Sequence, residues 1–410
     1  MASKVAVAKG DGIGPEIMGV TLNVLEAADA NIEIIDVKIG EEVYLNGHIT
    51  GIEPHTWDIL RNTEAFLKAP ITTPQGGGFK SLNVTIRGAF SLFANIRPCV
   101  SYSPVIPNKH PDMDVVIVRE NEEDLYVGIE YQHTPEMCEA IKIISRSGCE
   151  RIVRYAFEYA VANNRKKVTC FTKDNILKLS DGLFHKTYKE IAKEYPQIEN
   201  EHWIIDIGAA KLADTPEKFD VIVMPNLYGD ILSDIAAQIA GSVGLAGSAN
   251  IGNEHAMFEA IHGSAPRRAG QNMANPSGII LAAIMMLNHL NQGETASLIQ
   301  NAWLKTLEDG IHTYDIFREG TSKQKVGTKE FGEAVVARLG QKPETLNPAE
   351  PQKPFKMKPL KDRSEPLKEL VGVDVYVKWD GGVSELKKVM DLCTGDDYEM
   401  TLITNRGAKV

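Results

Sequence analysis

At 410 residues, with 43% apolar and 24% charged side chains, the chain has room for two or three domains built on ordinary globular cores. A formal net charge of −11 argues against a general nucleic-acid or anionic-membrane binder, because phosphate binding draws on clustered Lys and Arg; an anionic ligand must therefore meet a local basic pocket. Five widely spaced cysteines (Cys99, Cys138, Cys149, Cys170, Cys393) make no Cys-x-x-Cys pair, and no signal core, Arg-rich presequence or bilayer-length apolar run is present, so the expectation is a soluble protein of a reducing cytoplasm.

Strand-like runs at 5–8, 32–37, 115–118, 168–171, 203–205 and 221–224 alternate with helical patterns such as 15–28 and 151–162, which predicts an α/β protein with a substantially parallel sheet. After the first strand comes Lys9-Gly-Asp-Gly-Ile-Gly-Pro-Glu16, whose glycines allow close backbone approach and whose Pro15 suits a first helical position. It is not a Rossmann fingerprint, because Pro15 stands where the third glycine belongs. A second glycine-rich stretch, Thr72 to Ser81, lacks the Gly-Lys-Ser/Thr step, so it is not a phosphate-binding Walker loop and reads first as a flexible surface turn. Arg87, Arg97 and Arg119 follow within a short span. Arg119 ends an apolar strand, where parallel α/β sheets place ligand groups, and three converging guanidinium forks suit a polycarboxylate; three unrelated ion pairs are the alternative.

Tyr126, in an acidic loop, and Lys173, at the end of a strand, are candidate proton carriers, although a lone Tyr or Lys is more often structural. Asp230 and Asp234 lie four residues apart where a strand gives way to a helical pattern, so they share a helix face. Two such carboxylates suit Mg2+ or Mn2+; the alternative is a capping Asp230 and a solvated Asp234. His262 precedes Arg267 and Arg268, either a solvated basic turn or an adenosine pocket whose arginines meet a 2′-phosphate. From 341 to 369 the sequence is Pro- and Lys-rich and reads as a linker, followed by a small strand–helix–strand unit (371–379, 383–392, 398–404).

On these motifs the chain resembles the β-decarboxylating dehydrogenase family of isocitrate and 3-isopropylmalate dehydrogenases. The likeness runs from Val5 to about Leu339 and rests on Gly10-Asp-Gly-Ile-Gly-Pro-Glu16, Asn226-Leu-Tyr-Gly-Asp-Ile-Leu-Ser-Asp234, Gly247-Ser-Ala-Asn-Ile-Gly252 and Phe258-Glu-Ala-Ile-His-Gly-Ser-Ala-Pro266 with Asn275-Pro276. Ser81-Leu-Asn83 resembles the isocitrate branch, and 371–377 with 401–407 resembles the extra C-terminal module of longer bacterial members.

The resemblance implies the family's two-domain α/β fold, not a Rossmann fold, with a small C-terminal βαβ extension: 1–92 with 241–340 as a large cofactor-side domain, 93–123 with 146–240 as a small domain, 124–145 as a dimer clasp, and 370–410 as the appended module. It implies oxidative decarboxylation of isocitrate to 2-oxoglutarate, a tricarboxylic acid cycle step, with NADP and Mg2+ or Mn2+. Arg87, Arg97 and Arg119 would hold substrate carboxylates, and Ser81 and Asn83 would read the one that defines isocitrate. Asp230 and Asp234 would bind metal with Asp206 from the second subunit of a homodimer; Lys173, also from that partner, and Tyr126 would carry protons. Thr73, His262, Gly263, Ala265, Arg267, Arg268, Asn275, Tyr314 and Arg318 would line the cofactor site, the last pair resembling the NADP-specific forms. An NAD-dependent isocitrate or homoisocitrate enzyme and a non-catalytic regulatory subunit are the competing readings; neither nucleic acid nor membrane is an expected partner.

Overall fold

Three of the chain's strands contain a run of four apolar residues, 5–8, 115–118 and 221–224, in which both sets of side chains are buried. Val5 and Val7 face one core while Ala6 and Ala8 face another; Val116, Val118, Val221 and Val223 likewise turn away from Val115, Ile117, Ile222 and Met224. Period-two alternation with no polar face requires helices on both sides of a sheet, and that is the architecture of the computed structural model, which describes residues 2–73, 81–357, 369–395, 399–405 and 408–409.

The strands in chain order are β1 (Ser3–Ala8), β2 (Ile32–Asp36), β3 (Ala65–Lys68), β4 (Ala94–Val100), β5 (Asp114–Glu120), β6 (Glu130–Thr134), β7 (Met137–Ala140), β8 (Lys167–Thr172), β9 (Glu199–Ile204), β10 (Val221–Met224), β11 (Gly247–Ile251) and β12 (Ala256–Ala260). Ten of them form one sheet in the order β2-β1-β3-β12-β11-β4-β5-β10-β8-β9. Its flanks are parallel, and only the run β12-β11-β4-β5 at its centre is antiparallel.

Helices α1 (Gly14–Ala27), α2 (Glu41–Leu45), α3 (Pro54–Arg61), α4 (Leu82–Ala89), α5 (Arg146–Ala162), α6 (Ser180–Ala192), α7 (Ile205–Asp214), α8 (Asn226–Ala240), α9 (Ser277–His289), α10 (Gly293–Glu308) and α11 (Thr328–Val336) cover the two faces. Around β1, α1 and α9 to α11 bury Ile17, Ile279, Trp303 and Phe331, and α2 to α4 bury Tyr44, Leu60 and Ile86 on the other side. Around β5 and β10 the corresponding pairs are α5 with α6, and α7 with α8. Side chains of this size each contribute about 1.5–3 kcal/mol by leaving water.

Residues 341–357, read as linker from composition, are held by the body of the fold. The Glu308 carboxylate accepts the backbone N–H groups of Glu344 (2.7 Å), Thr345 and Leu346 (2.7 Å), Asn301 exchanges two hydrogen bonds with the backbone of Ala349 (2.9 and 2.8 Å), and Phe355 sits 5.1 Å from the Tyr155 ring. Prolines deny this segment a helix without preventing its side chains and backbone from docking.

By density of contacts, Gly128–Ile141 and Lys361–Val410 form a second unit apart from Met1–Val127 with Lys142–Leu360. In it β6 and β7 pair as an antiparallel hairpin, and Tyr376 stacks at 4.6 Å on the His133 ring. The expected helix is present as α12 (Val383–Asp391). Val371, Val373, Val375 and Val377 alternate as a strand does, but no ladder partner meets them among the described residues, and Tyr398 lies outside those residues. No described helix is long and apolar enough to cross a membrane, and all five cysteines are free.

Candidate active site at the central strands

Arg119 ends β5 on the same side of the strand as Val115 and Ile117, and so points under α8. Only a glycine lets that helix come so close: a methyl group at Gly229 would lie 2.5 Å from the Arg119 Cγ. Helix α8 begins at Asn226, four residues before Asp230, and the Asp124 carboxylate accepts the Leu227 N–H at 2.9 Å. Asp230 is therefore not the cap that the sequence left open. It lies one turn inside the helix, and Arg119 Nη1 hydrogen-bonds to its Oδ1 while Tyr126 donates its hydroxyl to Oδ2 at 2.6 Å.

Arg97, on β4, completes the cluster. Its Nε donates to Asn95 Oδ1 at 2.6 Å, Nη1 donates to Ser233 Oγ at 2.6 Å and lies 3.5 Å from Asp234 Oδ1, and Nη2 reaches Asp230 Oδ1 at 3.4 Å. Arg97 thus bridges the two acids of one helix face. Arg87, at the end of α4, pairs with the buried Glu259 of β12 at 3.2 Å, and Lys68 of β3 binds the other Glu259 oxygen at 2.8 Å. Asn250 joins the halves, donating to Glu259 at 2.9 Å and accepting from Asn95 at 3.0 Å and Asn121 at 3.1 Å.

Charge and burial set the electrostatics. Burial, then the charges of Arg97 and Arg87, push the Arg119 guanidinium down to about 9, and burial lowers Arg97 as well. Burial alone would raise Asp230, but Arg119, Arg97 and the Tyr126 hydroxyl prevail and hold it below the usual carboxylate range. Asp234 goes the other way, raised by burial and by its neighbour Asp230 against the pull of Arg97. Tyr126 is raised by burial and by its bond to Asp230, so the phenol keeps its proton at neutral pH. Among the buried polar atoms without a partner here are Arg87 Nε, Arg119 Nη2, the Asn121 Oδ1 and the Asn83 Oδ1 on α4. Buried donors and acceptors left open mark a place where a polar ligand completes the network. Ser81, at the start of α4, is exposed, and its side chain makes no capping bond.

Lys173 and Asp206 are apart from this cluster. Lys173 Nζ binds Asp206 Oδ1 at 2.6 Å, which lowers the Asp206 carboxyl, and no described hydrogen bond or ion pair links the pair to Asp230 or Asp234. Exposed apolar side chains surround both groups in sequence: Ile176, Leu179, Ile207, Ile231 and Ile235, with Leu179 88% exposed.

The glycine turn after β1 binds protein rather than an open pocket. The Asp11 Oδ2 accepts the N–H groups of Glu41 (3.0 Å) and Thr72 (2.8 Å), and Gly12, at φ +60°, lies so close to the Ser264 carbonyl that any side chain would collide with it. The turn thereby brings Thr72, in the loop after β3, beside the loop from His262 to Ala265, where Thr72 and Ser264 share a hydrogen bond at 2.7 Å. Residues 74–80, the rest of the second glycine-rich stretch, lie outside the described residues.

His262 Nε2 is buried without a partner, and burial keeps the imidazole below its ordinary range. Gly263 is exposed, and Ala265, at φ 39°, turns the chain into the short helical turn Pro266–Arg268. Arg268 hydrogen-bonds to the Tyr314 hydroxyl with its guanidinium 4.8 Å over that ring, so two residues distant in sequence form one basic edge. Arg267 is exposed, and Arg318 folds onto the Asp315 and Phe317 carbonyls at 3.1 and 2.9 Å.

Sequence reasoning missed the groups that orient the rest: Asn226, whose Oδ1 accepts the Arg119 Nε–H at 2.9 Å, Glu259, Asn95, Asn250, and Asp315, which accepts from Asn275 (3.0 Å) and Ser242 (2.7 Å). The usable signal was polarity inside strands: Asn95, Asn250 and Glu259 each sit mid-strand and are buried.

The model of the family described as isocitrate/isopropylmalate dehydrogenase matches residues 4–335, and that of the bacterial isocitrate dehydrogenase C-terminal domain matches 368–410. The NADP isocitrate dehydrogenase of Rickettsia bellii is 57% identical over 99% of this chain and 85% of its own length. A crystal structure of a Thermus thermophilus protein superposes with a TM-score of 0.92 at 42% identity, covering all of this chain and 83% of that one. The crystal structure of isocitrate dehydrogenase from Methylococcus capsulatus superposes with a TM-score of 0.79 at 41% identity, over 83% of this chain and all of that one.

Proposed function

The chain belongs to the isocitrate/isopropylmalate dehydrogenase family, and on that premise we propose how its residues divide the reaction between them. The reaction is oxidative decarboxylation of isocitrate to 2-oxoglutarate and carbon dioxide with reduction of NADP. The observation that carries the assignment of roles is the buried arginine cluster with Arg87 Nε, Arg119 Nη2 and Asn83 Oδ1 left unpartnered. A tricarboxylate supplies the matching charge: Arg87, Arg97 and Arg119 each take substrate carboxylate oxygens, and Asn83 with Ser81 faces the carboxylate that sets isocitrate apart.

Asp230 pairs with both Arg119 and Arg97. Incoming carboxylates take over these guanidinium groups, and Asp230 is freed to join Asp234 as a ligand. Both are hard oxygen donors on one helix face, 39% and 61% exposed at the side chain, and this set fits Mg2+ or Mn2+. The ion supplies Lewis-acid stabilisation at the substrate's hydroxyl oxygen. Two carboxylates are too few to enclose it. We assign the third, Asp206, to a second copy of the chain, brought in with Lys173; the apolar exposure of Ile176, Leu179, Ile207, Ile231 and Ile235 supports burial of this face in a homodimer clasped by the β6–β7 hairpin.

Lys173 with Asp206 then takes the hydroxyl proton as hydride leaves for the nicotinamide, and Tyr126, still protonated at neutral pH, returns a proton after the β-carboxylate departs. On the cofactor side, Thr73, His262, Gly263, Ala265 and Asn275 bound the adenosine, and Arg267, Arg268, Tyr314 and Arg318 meet the 2′-phosphate, whose charge-assisted bonds favour NADP over NAD. Five free cysteines are in keeping with a reducing cytoplasm. Reduced-nicotinamide absorbance with isocitrate and Mn2+, run with NADP and NAD in parallel, tests the reading. Reduction that favours NADP and stops with EDTA supports it; turnover that survives EDTA refutes the metal assignment, and equal use of NAD refutes the 2′-phosphate assignment.

A further inference from the structure

Behind Lys173 lies a group of side chains that the reaction does not use. Asp174 follows β8, His185 is on α6 and His202 is on β9, and one donor atom from each lies within 4.8 Å of the others. The two Asp174 oxygens face different rings: Oδ2 is 2.6 Å from His185 Nδ1, and Oδ1 is 4.0 Å from His202 Nε2. The imidazoles stack at 3.5 Å with an interplanar angle of 16°, and Thr172 Oγ1 stands 2.8 Å from His202 Nε2. All three residues are largely shielded, with side-chain exposures of 22%, 12% and 18%.

We propose that Asp174, His185 and His202 form a second metal site, one that takes a borderline transition ion of the Zn2+ or Co2+ class and is separate from the Mg2+ or Mn2+ site at Asp230 and Asp234. Two imidazoles and one carboxylate are the ligand set for such ions, whereas Mg2+ prefers oxygen throughout. Charge points the same way. Only one carboxylate belongs to the trio, and the Lys189 ammonium adds positive charge nearby, so the ion is held by nitrogen donation more than by Coulomb attraction.

The geometry needs a modest change. Metal–nitrogen bonds of about 2.0–2.1 Å in a tetrahedron place donors about 3.4 Å apart, so donors that lie within 4.8 Å of one another must close by up to about 1.4 Å and the stacked rings must turn toward a common point. Thr172 or water completes the shell. The three ligands come from a loop, a helix and a strand, so an ion there ties α6 to the sheet edge one residue from Lys173.

The site is independent of the substrate reading and is tested without turnover. The EDTA-stripped 410-residue chain is held in excess Mg2+, so that the acidic site is filled, and titrated with Co2+ while visible absorbance is recorded. One Co2+ per chain with a nitrogen-ligated spectrum is expected. It should persist in Asp230→Asn and weaken by more than about 10-fold in His185→Gln and His202→Gln. X-ray absorption of the Co2+-loaded wild type, which needs no variant to fold, should report two imidazole ligands. Co2+ bound through oxygen alone, or bound equally by both histidine variants, overturns the proposal and leaves the trio as a hydrogen-bonded clamp between α6 and β9.

Discussion

The two clusters assigned to the chemistry differ in almost every physical respect. Arg87, Arg97 and Arg119 are buried, and each is fixed by side chains from other elements, through Glu259, Ser233 and Asn226. Lys173 and Asp206 are a single pair at the surface, 29% and 67% exposed, with exposed Ile176, Leu179 and Ile207 close to them in sequence. The first is a finished part of the fold, in which charge has been desolvated in advance and every error is costly. The second costs the monomer little and, in the proposed assembly, would acquire its surroundings from another copy. The difference separates what one chain supplies from what assembly supplies, and it predicts that mutations in the two places fail in different ways.

The largest effect is expected at the exposed pair, on activity alone. Lys173→Ala should lower kcat by about 10²–10⁴-fold, the usual worth of a positioned proton carrier. Its urea midpoint should stay close to wild type, since an exposed ion pair screened by solvent contributes little to stability. A large loss of stability would erase the contrast.

Glu259→Gln reverses the pattern. It leaves Lys68 and Arg87 buried without their counter-charge and should cost on the order of 3–5 kcal/mol in urea unfolding. The same network sets an acid limit. Burial would raise the Glu259 carboxyl, but Lys68 and Arg87 hold it down at about 2. A depressed carboxyl stabilises above its unfolded value near 4.5 and loses that contribution as pH falls toward 2, so on the order of 3 kcal/mol should vanish across this window. Unfolding curves at several acid pH values check it, and Glu259→Gln should flatten the slope. An unchanged slope would assign the acid sensitivity elsewhere.

Asp230→Asn should weaken Mn2+ binding by at least about 10-fold in calorimetry, and unchanged titration removes Asp230 from the metal site. The smallest structural effect belongs to the nucleotide edge. Replacing Arg267 and Arg318 together with Ala should raise the KM for NADP by about 10–100-fold, the loss of one or two charge-assisted bonds. KM for NAD and the urea midpoint should hardly move, within about 0.5 kcal/mol for exposed side chains. Equal changes for both nucleotides would end the 2′-phosphate role.

Much of the fold could be read from the chain. The strands buried on both faces, β1, β5, β8 and β10, announce themselves as apolar runs, and the helix of Asp230 and Asp234 as spaced carboxylates after one of them. Strands β4, β11 and β12 did not, for a reason that is also their function: Asn95, Arg97, Asn250 and Glu259 interrupt the apolar pattern because they build the polar network under the site. Local propensity fails where a functional group displaces a packing group. Asn226 and Asp315 escaped notice because their roles lie in holding Arg119 and Asn275, which only the tertiary contacts reveal. The 341–357 segment was read by its prolines, and its anchoring by Glu308 and Asn301 depends on partners far away in sequence.

The most direct test is to mix two inactive variants, Lys173→Ala and Asp230→Asn, under conditions of demonstrated subunit exchange. If each site takes Lys173 and Asp206 from one copy and Arg119, Tyr126, Asp230 and Asp234 from the other, every mixed dimer regains one intact site, and activity per chain should recover to roughly a quarter of wild type on random pairing. No recovery after complete exchange would mean that each chain builds its site alone, contrary to the division of labour drawn here.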